Sequence, residues 1–407
     1  MIEINGIYNY AKIFTDIIEN TAAEQIELLC NQKFSKGAKL RIMPDVHAGA
    51  GCVIGFTANL GEMVIPNIVG VDIGCGMLTV ELNDTEFEFQ KLNDIIRKFI
   101  PSGKSVHSGR IKKYSELLDL KCYRSLKDTK RLERSIGTLG GGNHFIEIDI
   151  DDDGNKYLVI HTGSRNLGKQ VAEHYQNMAF DILSGKDKLF DTQENLITQY
   201  KAEGRKSEIQ NAIKELKKAF EDMTPDIPKQ LCYLTGKYRD AYIHDMKICQ
   251  EYANLNRITI AEIIIDKLLG KNLSDFVHYH TVHNYIDMNS NIVRKGAVSA
   301  KKDEKLLIPI NMRDGSLICI GKGNEDWNCS APHGAGRLFS RTSAKKKFTV
   351  EEFESSMSGI FTTSINYNTI DECPMAYKNM ADIINNINPT ATIYKIIKPL
   401  YNYKSDE

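Results

Sequence analysis

The stretch Ser330-Ala331-Pro332-His333-Gly334-Ala335-Gly336-Arg337 sets one histidine in a loop of small residues, with an arginine four positions on. Glycine lets the backbone come close to a ligand, and the planar arginine fork matches a phosphate. A histidine there can attack phosphorus or ligate a metal. Alone, the octapeptide reads equally well as a glycine turn carrying a surface histidine. Further stretches shift that balance. In Val69-Gly70-Val71-Asp72-Ile73-Gly74-Cys75-Gly76-Met77 a carboxylate and a thiol stand three apart among glycines. A hard oxygen beside a soft sulfur suits Mn, Fe, Co or Zn; the bland reading is a tight corner with a small buried cysteine. Gly140-Gly141-Gly142-Asn143-His144-Phe145 adds an amide donor and an imidazole, and His161-Thr162-Gly163-Ser164-Arg165-Asn166 a second imidazole with an arginine. His278-Tyr279-His280-Thr281-Val282-His283-Asn284 is a histidine cluster whose spacing does not say which ring faces a site; Asp45-Val46-His47 is another Asp/His pair. One carboxylate, one thiol and several imidazoles, with Arg and Asn for phosphate, describe a metal-assisted phosphoryl-transfer site.

Strand ends and loops must hold these groups. Leu40-Arg41-Ile42-Met43-Pro44 and Val64-Ile65-Pro66 read as strand ends followed by turns. Residues 77–82 and 145–150 alternate at period two, and Asp151-Asp152-Asp153-Gly154-Asn155 reads as a hairpin turn into 157–160. That hairpin brings His144 and His161 to comparable positions, close enough to share a metal. From about 167 to 269 the pattern turns helical. Residues 202–223 carry an apolar stripe at Ile209, Ile213, Leu216, Ala219 and Phe220, ended by Asp226-Ile227-Pro228. A surface helical hairpin is expected over about 185–230. β-rich regions on either side of a helical middle predict an α+β fold, not a doubly wound sheet.

At 407 residues the chain can bury a sizeable core, as one large domain or two intimately packed ones, and no boundary is evident. Lys+Arg (52) and Asp+Glu (53) nearly cancel, which excludes a global basic field and requires any nucleic acid to bind a local patch. The nine cysteines are scattered without CxxC pairs. No apolar run approaches a membrane span, and the first residues lack a signal-peptide pattern. The expectation is a cytoplasmic protein with reduced thiols and no membrane partner.

The motifs VGVDIGCGM, GGGNHF, HTGSRN, HNY, RKGA and SAPHGAGR, in this order, resemble those of the RtcB family of RNA-splicing ligases, over nearly the whole chain. The resemblance implies one catalytic domain over 1–407, joining RNA 2′,3′-cyclic phosphate or 3′-phosphate ends to 5′-hydroxyl ends with GTP as co-substrate and two Mn²⁺ ions. It implies metal ligation by Asp72, Cys75, His144, His161 and His283. Cys75 would bridge, with Asp72 and His144 on one ion and His161 and His283 on the other. His333 would be the guanylylated nucleophile. GTP contacts would fall on Asn143, Glu147, Asn284, Pro309, Ile310, Asn311, Met312, Ser316, Gly334, Ala335, Gly336 and Lys404. Asp45, Arg165 and Arg337 would complete the active site at the RNA phosphates. The chain departs from the family at Pro309-Ile310-Asn311-Met312-Arg313, where many members read PGSMG. No P-loop motif is present to hold GTP. Two other classes are open: a metal-dependent phosphoesterase that opens cyclic phosphates without ligating, and a non-catalytic RNA-end-binding module.

Overall fold

The computed structural model describes residues 1–221 and 224–405. Its architecture is α+β, built on two sheets. The first runs, in spatial order, Ile2–Asn5, Tyr10–Ile13, Leu40–His47, Ile54–Ala58, Ile292–Lys295, Asn284–Asp287. The second runs Lys305–Asn311, Gly315–Gly321, Ala391–Tyr403, Phe145–Ile150, Lys156–Thr162, Gly76–Asn83, His278–Val282, with Phe361–Thr362 pairing alongside Ala391–Tyr403. A two-stranded ribbon of Ala297–Ser299 and Ser330–Pro332 accompanies them.

The middle strands of the second sheet are buried on both faces because both are covered. Leu78, Val80, Ile146, Ile148, Leu158 and Ile160 pack against Ile260, Ile264 and Ile265 of the helix Gly236–Leu269. On the other face Met77, Phe145, Tyr157 and Val159 meet Leu307, Ile318 and Ile397. Each such side chain contributes about 1.5–3 kcal/mol of burial, so these strand ends are firmly anchored. The long helix stops at Gly270, which takes the left-handed conformation at φ 65°.

The expected hairpin forms: Phe145–Ile150 pairs antiparallel with Lys156–Thr162, with Phe145 opposite His161. Its alternation has another meaning than a solvated face, since Glu147 and Asp149 are 3% and 0% exposed. The helical middle consists of Arg165–Leu183, Lys186–Ala202, Ile209–Glu221 and Gly236–Leu269. The continuous helix expected over 202–223 is broken: Gly204 adopts φ 75° and separates Lys186–Ala202 from Ile209–Glu221. The end expected at Met223 lies outside the described residues, as do the side chains of Ala219 and Phe220. Val64-Ile65-Pro66 is not a strand end. Val64 makes one isolated bridge to Leu234, and Pro66, whose fixed φ suits a first helical turn, opens the short helix Pro66–Val69.

Candidate active site

Four neighbouring strands of the second sheet, Phe145–Ile150, Lys156–Thr162, Gly76–Asn83 and His278–Val282, present their ligand residues at one end. His144 precedes the first, His161 lies near the end of the second, Cys75 precedes the third and His283 follows the fourth. The register fixes this, pairing Met77 with His161 and Gly76 with both Thr162 and Val282. Two donor sets result, Asp72-Cys75-His144 and Cys75-His161-His283, with the ligand atoms of each within 4.8 Å of one another. Cys75 Sγ lies 3.5 Å from His144 Nε2 and 3.4 Å from His161 Nε2. His161 Nε2 and His283 Nε2 are 3.1 Å apart, as are His144 Nε2 and Asp72 Oδ2. Of the histidine cluster, His283 joins the site, whereas His280 accepts a hydrogen bond from Arg257 on the far side of the strand.

The surroundings suit a metal. His144 and His161 place Nδ1 on the carbonyls of Leu139 and Asn143, at 3.0 and 3.1 Å, which aims Nε2 at the cluster. Asp72 Oδ1 accepts the Ser164 N–H at 3.0 Å. Burial pushes the His161 and His283 imidazoles well below their ordinary range, keeping them neutral, as ligands must be. Burial works against an ionised Asp72, but His144 and Arg165 hold its carboxyl below the usual value. Burial and Asp72 push the Cys75 thiol well up, against the pull of Arg257. Carboxylate, thiolate and imidazole together form a donor set that suits a divalent transition-metal ion better than Mg²⁺, which prefers oxygen.

His333 stands beside this cluster, its ring centroid 4.8 Å from that of His283. It directly follows the ribbon strand Ser330–Pro332. Asp45, fully buried in the strand Leu40–His47, accepts both the His333 backbone N–H at 3.0 Å and its Nδ1–H at 2.6 Å. That leaves Nε2 as the free ring nitrogen. Lys378 donates to the carbonyls on either side of Asp45, those of Pro44 and Val46, and so fixes the carboxylate's position.

His333 lines a cavity of about 600 Å³, whose wall also includes Asn143, Glu147, His161, Pro309, Ile310, Asn311, Met312, Gly334, Ala335, Gly336, Arg337 and Lys404. The departing loop therefore still faces the cavity. Two expected contact residues are not on its wall. Asn284 donates its amide to the Asp72 carbonyl and accepts from Gly296 N–H, bracing the ligand loop. Ser316 is fully buried, one strand behind, opposite Pro309. Arg165 adjoins the donor cluster, with Nη1 3.2 Å from His144 Nδ1.

Sequence reasoning missed three groups. Glu372 is buried at the cavity wall and binds Lys404 at 2.9 Å, Arg337 at 3.1 Å and Arg341 at 3.0 Å. Burial opposes its charge, yet Lys404, Arg341 and Arg337 hold its carboxyl down to about 2. It lies in a short helical turn without glycine or histidine to signal it. Asn256 and Arg257, fully buried midway along the long helix, tie the ligand loops together. Asn256 binds the backbone of Gly137, Thr138 and Gly163; Arg257 binds the carbonyls of Gly74 and Thr162. His47, already singled out in the sequence beside Asp45, lines the cavity as well, its imidazole pushed down to about 4 by burial.

Strand-end ligands in two sets, an imidazole backed by a buried carboxylate and a cavity of nucleotide size define an α+β enzyme with a candidate dinuclear metal centre. A sequence model of the tRNA-splicing ligase RtcB family matches residues 33–123 and 118–405. The chain is 30% identical over 384 residues to the RNA-splicing ligase RtcB of Escherichia coli K12, covering 84% of each. It is 26% identical to the tRNA-splicing ligase RtcB of Aeropyrum pernix, over 89% of this chain and 86% of that one. The corresponding protein of Methanococcus maripaludis is 25% identical, over 94% and 92%. The chain belongs to the RtcB family of tRNA-splicing ligases. Among its described residues no helix is long and apolar enough to cross a membrane.

Proposed function

We propose that this chain is a GTP-dependent RNA ligase of the cytoplasm, acting in tRNA splicing or RNA repair, with residues 1–407 forming one catalytic domain interrupted by the helical hairpin near 185–230. It joins a 3′-phosphate or 2′,3′-cyclic phosphate end to a 5′-hydroxyl end. The carrying observation is His333: its Nδ1 is held 2.6 Å from a buried carboxylate, at the junction of a nucleotide-sized cavity and the ligand cluster.

Asp45 keeps the proton on Nδ1, so the Nε2 lone pair is the nucleophile toward the α-phosphorus of GTP. A P–N bond forms and the P–O bond to pyrophosphate breaks. An oxygen of the RNA 3′-phosphate then attacks the same phosphorus. The P–N bond breaks, neutral His333 returns and the RNA carries GMP through a pyrophosphate linkage. The 5′-hydroxyl oxygen attacks the RNA phosphorus, the pyrophosphate P–O bond to GMP breaks, GMP leaves with its phosphate, and the hydroxyl proton passes to solvent. A cyclic end must first add water to become a 3′-phosphate. Two Mn²⁺ ions, one held by Asp72, Cys75 and His144 and the other by Cys75, His161 and His283, would neutralise charge on the phosphoryl oxygens. Asn143, Arg165 and Arg337 are the groups for the phosphates. Glu147 and Lys404, both on the cavity wall, are the groups for the base: a Glu147 carboxylate would complement the two N–H donors on guanine's edge, where adenine offers an acceptor. Supplying RNAs with defined ends tests this reading. Sealing of 3′-phosphate to 5′-hydroxyl with GTP and Mn²⁺, and none with a 5′-phosphate acceptor, is expected. Efficient joining of 3′-hydroxyl to 5′-phosphate would overturn it.

A further inference from the structure

A second cavity, of about 430 Å³, adjoins the first through Arg341 and Glu372, which line both. Its wall includes Gly142, Lys345, Lys346, Tyr367 and Asp371. Gly142 directly precedes Asn143 of the first cavity, so the two spaces lie on either side of one backbone turn. Gly142 holds φ 75°, and a Cβ there would come near only Arg341, at 3.8 Å; the turn leaves room for a ligand chain to pass.

Charge is concentrated here in a chain whose net charge is −1. Asp371 and Glu372 are met by Arg337, Arg341, Lys345 and Lys404. Lys346 is exposed and adds a fifth cation against two carboxylates. The lysines sit on the helix Arg341–Lys347, opposite Tyr367, whose side chain is 65% exposed. The Lys345 ammonium lies 6.0 Å from the Tyr367 ring centroid. Surplus cations beside an exposed aromatic ring form the usual platform for single-stranded nucleic acid, with phosphates on the cations and a base on the ring.

We propose that this second cavity holds a nucleotide unit of the RNA strand adjacent to its reacting end, with Tyr367 stacking the base and Lys345 and Lys346 meeting the backbone phosphates. The proposal rests on the ligase reading, and it identifies the track by which a polymer, unlike GTP, enters the site.

The test uses the full chain and a fluorescent single-stranded RNA ending in a 3′-phosphate. Anisotropy titrations across a salt series are run beside self-guanylylation with labelled GTP in the absence of RNA. In Lys345→Gln/Lys346→Gln the slope of log Kd against log salt should shrink by about 1.4, at about 0.7 per lost single-strand phosphate contact. Tyr367→Ala should weaken RNA binding roughly tenfold, and Tyr367→Phe should restore it. Guanylylation should stay at the wild-type rate in all three. Unchanged RNA affinity and salt slope in variants that still guanylylate would overturn the proposal. So would a raised KM for GTP, which would make the cavity a mononucleotide site. If the wild type binds RNA in this way but does not guanylylate, the ligase reading fails while the RNA track stands.

Discussion

Arg257 should control metal affinity without touching the metal. Its guanidinium is 1% exposed, and its three hydrogen bonds go to two carbonyls and an imidazole, not to a carboxylate. Nη1 holds the carbonyls of Gly74 and Thr162, each at 2.8 Å. Those residues adjoin Cys75 and His161, so one side chain sets the spacing of two ligand loops. His280 receives Nε and stays neutral, pushed down to about 3 by burial and by Arg257 itself. Burial lowers the guanidinium only to about 10, so it is charged at neutral pH and is the nearby cation that favours a Cys75 thiolate. Replacement by methionine keeps the volume and removes charge and donors. Hydrogen bonds to a charged group are worth about 1.5–3 kcal/mol each. Three of them are offset in part because no buried charge need be desolvated, leaving a net loss of roughly 2–4 kcal/mol. That is below the usual total stability of 5–15 kcal/mol, so the variant folds. Groups that orient metal ligands commonly change affinity by about 10–100-fold. Arg257→Met should therefore bind Mn²⁺ at least tenfold more weakly in a chelator competition. With Co²⁺ as probe, its thiolate charge-transfer band should be weaker. Arg257→Lys, with charge but no fork, should fall between. Mn²⁺ affinity within twofold of wild type in a folded Arg257→Met variant would refute the argument.

Asp45→Asn keeps an oxygen for the His333 backbone and Nδ1 but loses the charge assistance, worth about 1–1.5 kcal/mol. Self-guanylylation should slow about tenfold, and Asp45→Ala should slow it further; equal rates would exclude the orienting role. Gly140 sits at φ 82°, where a Cβ would fall 1.8 Å from Arg165 Nη1. Gly140→Ala should cost about 1–3 kcal/mol in strain and displace Arg165 from His144, reducing ligation in a still soluble protein; unimpaired ligation would show that Arg165 is dispensable. Burial raises Glu147 from 4.5 to about 7, against Asn402 and Lys404. The folded state thus holds a proton that the unfolded chain releases, and stability falls as pH rises from about 4.5 through 7. Glu147→Gln removes this loss, worth up to about 3 kcal/mol. The melting-temperature difference, variant minus wild type, should grow with pH across that window, and a difference independent of pH would contradict the assignment.

Asp72, Cys75, His144 and His161 were legible in the sequence because each sits in or beside a glycine-containing turn at a strand end, where composition departs from ordinary core; His283, with no glycine near it, could be told from His278 and His280 only through the family resemblance. The hairpin joining His144 to His161 could be read from its turn and period. What escaped lay in elements with no such contrast. Arg257 and Asn256 belong to a helix with buried residues from Tyr242 to Leu268, so two polar residues in its middle look like exposed positions until the packing is known. Glu372 gains its meaning from Lys404, Arg337 and Arg341, which are distant from it or from one another in sequence. Asn284 shows the converse. Its motif was plain, but only the fold reveals that its amide braces Asp72 and Gly296 instead of lining the cavity. Glu147 and Asp149 look like a solvated face by period alone; the strand Ala391–Tyr403, paired alongside from the far end of the chain, encloses them.

The central claim is that His333 carries GMP and the ligand cluster supports the transfer. The direct measurement incubates the protein with α-labelled GTP and Mn²⁺, denatures it, and maps the retained label; in parallel, RNA already capped with GMP at its 3′ end is offered with a 5′-hydroxyl partner. Wild type should retain label on His333. His333→Ala should retain none and fail to ligate from GTP, yet still seal the pre-capped strand, because the last displacement needs only the metals and phosphate-holding groups. Label found on another residue, or undiminished ligation from GTP by His333→Ala, would contradict the account.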